Sequence, residues 1–326
     1  MHKVRWGVLS TAKIARNHVI PAIQTSQFGE VTTIASRRLD NAQACAKQLN
    51  IAHAAGSYEA LLADPHIDAI YNPLPNHLHV PWTLRALQAG KHVLVEKPVG
   101  LNQSEAQDLL EASQQYPQLK VMEAFMYRFH PQWEKVKALL PSIGPVRNIQ
   151  CQFSYNNRDT DNIRNQADMG GGALMDIGCY GISLARFIFD SEPVRVMGHQ
   201  QFMGHEVDTI TNALMEFEGG CASFSCSTKT EAGQWALISG EQGSIKLLIP
   251  FNPIADMPVQ IILRQQGEEQ SIDITPANHY RSMADQFCQA IINNSPVPTP
   301  LSDALANMKA LDALVSSAQT NLWIEL

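Results

Sequence analysis

Along the first third of the chain, short apolar runs alternate with stretches of helical spacing. Lys3–Leu9 reads as a strand, Ala12 to Ser26 as a helix, Glu30–Ser36 as a second strand and Asn41–Leu49 as a second helix. Asp68–Tyr71 reads as a buried strand, and His77–Ala89 as a helix that Gly90 closes in the left-handed region. Lys91–Glu96, Gln103–Ser113 and Leu119–Phe125 add a strand, a helix and a strand. This alternation predicts a parallel sheet covered on both faces.

After about Pro131 the pattern changes. Ile149, Cys151, Phe153 and Tyr155 alternate with polar neighbours, as in a strand with one wet face. Period-two runs follow at Thr209–Phe217, Ala222–Thr228, Gln234–Ser239, Ile245–Ile249 and Val259–Leu263, punctuated by turns such as Glu218-Gly219-Gly220. Strands that follow one another without intervening helices predict an antiparallel sheet, and two helices, Tyr280–Ile292 and Ser302–Gln319, close the chain. The expected fold is α/β, with a doubly wound Rossmann domain over residues 1–125. A substrate-binding and oligomerisation α+β domain with a large, open, mostly antiparallel sheet is expected over 126–326.

With 326 residues, 45% hydrophobic and 17% charged, the chain reads as a well-packed globular protein. A formal net charge of −7 argues against a nucleic-acid or anionic-membrane partner, either of which favours a basic face. The six cysteines, at 45, 151, 179, 221, 226 and 288, form no C-x-x-C pair and read as reduced thiols. The amino terminus runs straight into a strand with no leader pattern, and no apolar stretch reaches the ~20 residues of a membrane span. A cytoplasmic location is therefore expected.

Ligands of doubly wound sheets bind at the carboxyl ends of the strands. The first such end is Gly7-Val8-Leu9-Ser10-Thr11-Ala12-Lys13-Ile14, where Ser10 and Ala12 replace the glycines of the dinucleotide fingerprint. Gly7, Ser10, Thr11, Ala12 and Ile14 are candidate cofactor contacts, because small residues let backbone amides approach a pyrophosphate. A ligand-free turn of small residues explains the same pattern. The second strand ends in Ser36-Arg37-Arg38 instead of the acid that binds the ribose 2′-hydroxyl of NAD. A serine and a guanidinium suit a 2′-phosphate, which points to NADP with NAD as the alternative; two solvated arginines are the bland alternative.

Glu96-Lys97-Pro98 puts Lys97 at a strand end where the nicotinamide is expected, although a lysine there can also snorkel to water. Downstream, Gly170-Gly171-Gly172 precedes a helix with Asp176 and Tyr180 four residues apart on one face. The glycines are expected to let the backbone approach a ligand closely. His77-x-His79 does not converge on a metal in a helix, and no metal is expected.

Glu96-Lys97-Pro98, Pro75-Asn76-His77 and G-G-G-x-x-x-D-x-G-x-Y together resemble the Gfo/Idh/MocA oxidoreductase family, over essentially the whole chain. Glu123–Pro131 and Asn162-Ile163-Arg164 are most similar to the branch holding dimeric dihydrodiol dehydrogenase, NADP-dependent D-xylose dehydrogenase and glucose–fructose oxidoreductase. Tyr180, where many members carry histidine, fits that branch and not the inositol dehydrogenases. The resemblance implies an NADP-dependent dehydrogenase acting on a hydroxyl of a small sugar, polyol or cyclic diol. Two alternatives are a glucose–fructose oxidoreductase-like enzyme that retains NADP and a non-catalytic NADP-binding regulator.

On this reading Lys97, Asp176 and Tyr180 are catalytic. Pro75, Asn76, His79, Glu96, Lys97 and Arg164 join the cofactor contacts, and Tyr127, Phe129 and Arg164 join Lys97, Asp176 and Tyr180 around the substrate. Tyrosine ionises near pH 10, so half-ionisation at neutrality needs about 4 kcal/mol. An ammonium about 4 Å away supplies roughly that at an effective dielectric of 20. Tyr180 is thus expected to carry the proton and Lys97 to tune it, with Lys97 as carrier the alternative. The family also implies a cis bond before Pro98, and a homodimer or higher oligomer formed through the second-domain sheet.

Overall fold

The computed structural model describes residues 3–255 and 257–326, in two compact units. The first comprises residues 1–129 and 278–305, the second residues 130–277 and 306–326.

In the first unit, β1 (Val4–Leu9) is followed by a helix that passes through a π-turn at Ala15–Val19 into α1 (Ile20–Gln24). Next come β2 (Gly29–Ala35), α2 (Leu39–Leu49), β3 (His53–Ala55) and α3 (Tyr58–Leu62). They are followed by β4 (Ala69–Asn72), α4 (His79–Gln88), β5 (His92–Val95), α5 (Gln103–Ser113) and β6 (Val121–Glu123). The six strands pair in parallel in the order β3-β2-β1-β4-β5-β6, which is the doubly wound dinucleotide topology. The strands are short, and β1, β4, β5 and β6 are almost wholly buried because helices cover both faces, whereas the edge strand β3 is not. Trp6 of β1 is fully buried and its ring meets Phe287, 5.5 Å away, on the helix His279–Ile292.

The second unit begins with α6 (Pro131–Leu139) and β7 (Val146–Asn156), and reaches α7 (Cys179–Phe189) through a π-helical stretch at Leu174–Gly178. Strands β8 (Arg195–Gln201), β9 (Ile210–Phe217), β10 (Gly220–Ser227) and β11 (Lys229–Gly240) follow. Then come β12 (Gly243–Leu247), β13 (Val259–Gln265) and β14 (Glu268–Ile274), with β15 (Ile324–Glu325) near the end of the chain. The nine-stranded order is β14-β13-β12-β11-β7-β10-β9-β8-β15, antiparallel throughout except for the parallel β7–β10 pair. The fold class is the expected one.

Alternation gives this sheet one covered and one open face. Ile149, Cys151 and Phe153 point to the core, while Leu214, 49% exposed, belongs to the other face. There Gln150, Gln152, Met197, His199, Asn212, Leu214 and Trp235 line a shallow hollow of about 500 Å³.

The run Ala167–Phe189 is long and apolar enough to cross a membrane, and 89% of its apolar window is buried inside the fold. The run is not one helix: a 3-10 turn at Ala167–Met169 and the glycines precede the continuous helix, which starts at Ala173 and is buried in the core, where apolarity all round is what burial demands.

Candidate functional site

The turn after β1 takes the shape a glycine would give it. Ser10 adopts a φ of +70°, and its Oγ accepts the Ala12 N–H at 3.2 Å. A short polar side chain that bonds its own backbone tolerates this region better than an apolar one. Thr11, Ala12 and Ile14 lie half-buried at the helix start, so this mouth forms without the glycine fingerprint. Gly7 has a different task from the expected ligand contact: a Cβ there would stand 2.7 Å from Leu61 Cδ2 and 3.1 Å from Ile67 Cδ1. Its missing side chain seats α3 against β1.

At the end of β2, Ser36 donates its N–H to Ala55 O and accepts the Arg38 N–H on Oγ at 3.3 Å. Arg37 and Arg38 are exposed, and Arg38 reaches Asp40 through Nε at 3.2 Å and a terminal nitrogen at 2.6 Å. These donors, with Asp40 set back in α2, fit a phosphorylated ribose better than a bare diol.

After β4, Asn72 donates to His79 O at 3.0 Å and Thr83 Oγ1 at 3.2 Å, and the chain enters a 3-10 turn at Asn76–Leu78 just beyond Pro75. His79 was expected to touch a cofactor. It is 1% exposed and places its ring nitrogens 2.7 Å from Pro98 O and Leu74 O, which makes it a fastener between two loops. Burial pushes its pKa down to about 4, against the two carbonyls that favour the charged ring.

That fastening bears on Lys97. Glu96 accepts from Tyr71 Oη at 2.6 Å, and the Lys97–Pro98 bond is cis, as the family resemblance implied. Beyond it, Val99 N–H donates to Glu123 Oε1 at 2.7 Å and Leu101 N–H to Glu105 Oε2 at 2.8 Å. With His79 on Pro98 O, side chains from α4, β6 and α5 hold the loop that begins at Lys97. Tyr127, expected as a substrate wall, is fully buried against the edge of Phe125 and takes an Arg128 hydrogen bond at 3.5 Å, and Phe129 is 8% exposed. Both pack in the first unit's core.

In the second unit, Asp176 lies in the π-helical stretch and Tyr180 in the first turn of α7. Asp176 Oδ2 accepts from Tyr155 Oη of β7 and lies 3.0 Å from Arg164 Nε. Burial first, and then the Asp176 carboxylate, push Tyr155 well above the tyrosine range, so it remains a neutral donor. The Tyr180 ring is 3% exposed, 5.5 Å edge-on to Phe153 and 5.3 Å from Phe251, which restricts it to one orientation. Arg164 sits in a 3-10 turn capped by Asn162 Oδ1.

Two glycines of the run make room for packing within the chain. A Cβ on Gly171 would lie 2.6 Å from Arg164 O, and Gly172, at φ +116°, would place one 2.2 Å from Asp208 Oδ1. The glycines thus press the Arg164 loop and Asp208 against the start of the helix. Tyr155 and Asp208 were not foreseen. The strand pattern left one signal for Tyr155, a hydroxyl at the end of an apolar stripe that needs a partner. Asp208 left none.

A six-stranded, doubly wound parallel sheet of this order is the dinucleotide-binding topology, and a large, mostly antiparallel sheet makes up the second unit. Residues 4–125 match the family model described as "Oxidoreductase family, NAD-binding Rossmann fold", and residues 133–246 match the GFO/IDH/MocA C-terminal domain. The chain is 34% identical to a D-xylose 1-dehydrogenase (NADP(+)) of Haloferax volcanii, over 98% of this chain and 99% of that one. It is 33% identical to a trans-1,2-dihydrobenzene-1,2-diol dehydrogenase of Xenopus tropicalis, over 83% of this chain and 81% of that one. A 3-ketoreductase from Actinomadura kijaniata, solved in complex with NADP and TDP-benzene, superposes with a TM-score of 0.91 at 30% identity, covering 97% of this chain and 98% of that one. The chain belongs to the Gfo/Idh/MocA oxidoreductase family.

Proposed function

We propose that this protein is an NADP-dependent dehydrogenase that oxidises a hydroxyl of a small sugar, polyol or cyclic diol, and reduces the corresponding carbonyl in reverse. The observation that carries this reading is the rigid presentation of the acid–base groups. Asp176 and Tyr180 stand one turn apart at a helix start fixed by the chain itself, and Lys97 opens a cis-proline loop held from three elements. The cofactor, when bound, supplies or accepts the hydride. Ser36, Arg37 and Arg38 would hold its 2′-phosphate, and the turn Ser10-Thr11-Ala12 its pyrophosphate.

The remaining chemistry belongs to the chain. Tyr180 exchanges the hydroxyl proton, and Lys97 lowers the cost of its phenolate. Asp176, tied to Tyr155 and Arg164, orients substrate hydroxyls. NADP(+)-linked xylose and diol dehydrogenases among the relatives support this substrate class, and the 3-ketoreductase supports the reverse direction on a keto sugar.

The test is a screen of pentoses, hexoses and dihydrodiols with NADP+ and NAD+ side by side, together with keto sugars and NADPH. Turnover with NADP+ that collapses in Lys97→Met while cofactor affinity holds is the expected result. No turnover on any substrate ends the proposal, and a clear preference for NAD+ ends the reading of Arg37 and Arg38. Cofactor that survives gel filtration would favour an enzyme that retains NADP between two substrates.

A second copy of the chain is the proposed cover for the open sheet face around Leu214 and Trp235. Leu214→Glu should convert the protein to monomer in sedimentation, and an unchanged mass excludes this face as the contact.

A further inference from the structure

Residue 208 lies 32 positions after Asp176 in the chain, yet it meets the start of the helix that carries Asp176 and Tyr180. Its main-chain oxygen accepts the Ala173 N–H at 2.8 Å, and its Oδ2 accepts the Leu174 N–H at 2.8 Å. The same Oδ2 accepts the Thr211 hydroxyl at 2.6 Å. Two consecutive first-turn amides, which have no partner inside a helix, are thus met by one buried aspartate from outside it. Asp208 is 6% exposed. Space for it exists only because residue 172 is glycine, since any Cβ there would collide with Oδ1 at 2.2 Å.

The fit is reciprocal. Gly172 N–H donates to Arg164 O at 2.9 Å, so the residue that makes room for Asp208 also fastens the Arg164 loop. The next turn is clamped as firmly. A Cβ on Gly178 would lie 3.0 Å from Cys226 Sγ, and one on Gly181 would lie 2.6 Å from Phe224. The helix therefore cannot slide along β10, and its first turn is set by Asp208.

We propose that Asp208 is a positioning residue for the reaction: its carboxylate caps the helix carrying Asp176 and Tyr180, fixing where they stand and countering the positive end of the helix beside them. This rests on the acid–base reading of Tyr180 given above. A negative charge at a helix N-terminus is favourable in itself, and it offsets the N-terminal field over the first turn, where Asp176 stands. The titratable groups packed around this turn are Cys226 of β10, Asp176 and Cys179 on the helix, and Tyr155 and Arg164 beyond Asp176. Burial pushes Cys226 well up, with Asp208 adding to it, so that thiol stays neutral and Asp208's charge reaches the Gly178 turn.

Asp208→Asn keeps the side chain's size but removes its charge and weakens its hold on the Leu174 N–H and the Thr211 hydroxyl, and it separates this role from plain support. The expected result is a kcat lower by roughly 10- to 100-fold, the scale of small misplacements of reacting groups, with NADP+ affinity unchanged. NMR of ring-labelled tyrosine, assigned with Tyr180→Phe, should show Tyr180 ionising at lower pH than in the parent, because a nearby negative charge has gone. An unchanged kcat overturns the proposal, and so does a fall in kcat with an unmoved Tyr180 titration. If Asp208→Asn does not fold, Thr211→Val takes its place: loosening the carboxylate should lower kcat about tenfold on the same reasoning, and an unchanged kcat overturns the proposal. The NMR titration needs no substrate. Absence of turnover in the parent protein would therefore end the proposed function while the test of Asp208 went forward.

Discussion

At the end of β2 the Arg38 guanidinium holds Asp40 in a two-pronged contact, with both side chains largely in solvent. An exposed pair of this kind is weak and easily exchanged for a better anion. A 2′-phosphate offers more charge and more acceptor oxygens than one carboxylate, so on the proposed reading Asp40 competes with the cofactor for Arg38. Asp40→Asn should therefore tighten NADP+ binding a few-fold and leave NAD+ binding unchanged, as measured by fluorescence titration. Equal effects on both cofactors would remove Arg38 from the phosphate site. Lys97, Asp176, Tyr180 and the Ser36-Arg37-Arg38 segment were all legible as residues. His79 was legible only as a histidine near a conspicuous loop, because its carbonyl partners, Leu74 and Pro98, come together only on folding.

At the scale of elements, long periodic segments were readable and short or polar ones were not. The helix Gln103–Ser113 matches its predicted bounds, and Gly90 closes α4 at φ +75° as expected. Missed were β3, α3 and β15, too short for a period to register, also α6 and β8, longer segments that were assigned no element, and β14, whose Glu268–Ile274 run is mostly charged and exposed. An edge strand has no second neighbour and gains from such polarity. The glycine run before Asp176 was recognised as special, without its neighbours within the chain. A glycine marks a place where something comes close, and only the folded chain shows that Arg164 O and Asp208 come close here. The π-helical stretch holding Asp176 was likewise invisible, since its spacing differs from an α-helix by a single residue.

The whole molecule carries a pH dependence that neither unit's site requires. His92 accepts the Lys120 N–H on Nδ1 at 2.9 Å, and His130 accepts the Gln132 N–H on Nδ1 at 3.3 Å. Both bonds need an unprotonated nitrogen, and burial pushes both rings down to about 4. In the unfolded chain a histidine titrates near 6.5, so between those values the unfolded chain binds protons that the folded chain refuses. Stability should therefore fall as the pH is lowered from about 6.5 towards 4, read as a declining melting temperature. A melting temperature indifferent to pH across that window contradicts the assignment. The return of residues 278–305 to the first unit also belongs to this scale: Phe287 packs on Trp6 nearly the whole chain away in sequence, and no local pattern announces that contact.

Taken alone, the sequence determined the class of fold and the kind of chemistry. Hydrophobic period is a local property, and it separated the covered parallel sheet from the half-open antiparallel one. Residue type at strand ends is also local, and it placed a lysine before a proline and two arginines where a dinucleotide sheet binds its ligand. What folding alone decided is how those groups are held. Ser10 makes a glycine's turn, His79 fastens the loop that Lys97 begins, Tyr155 and Arg164 share Asp176, and Asp208 caps the helix of Tyr180. Each of these rests on groups that tertiary packing brings within hydrogen-bonding reach, and a hydrogen bond, unlike a hydrophobic period, leaves no trace in the sequence until both partners are in place.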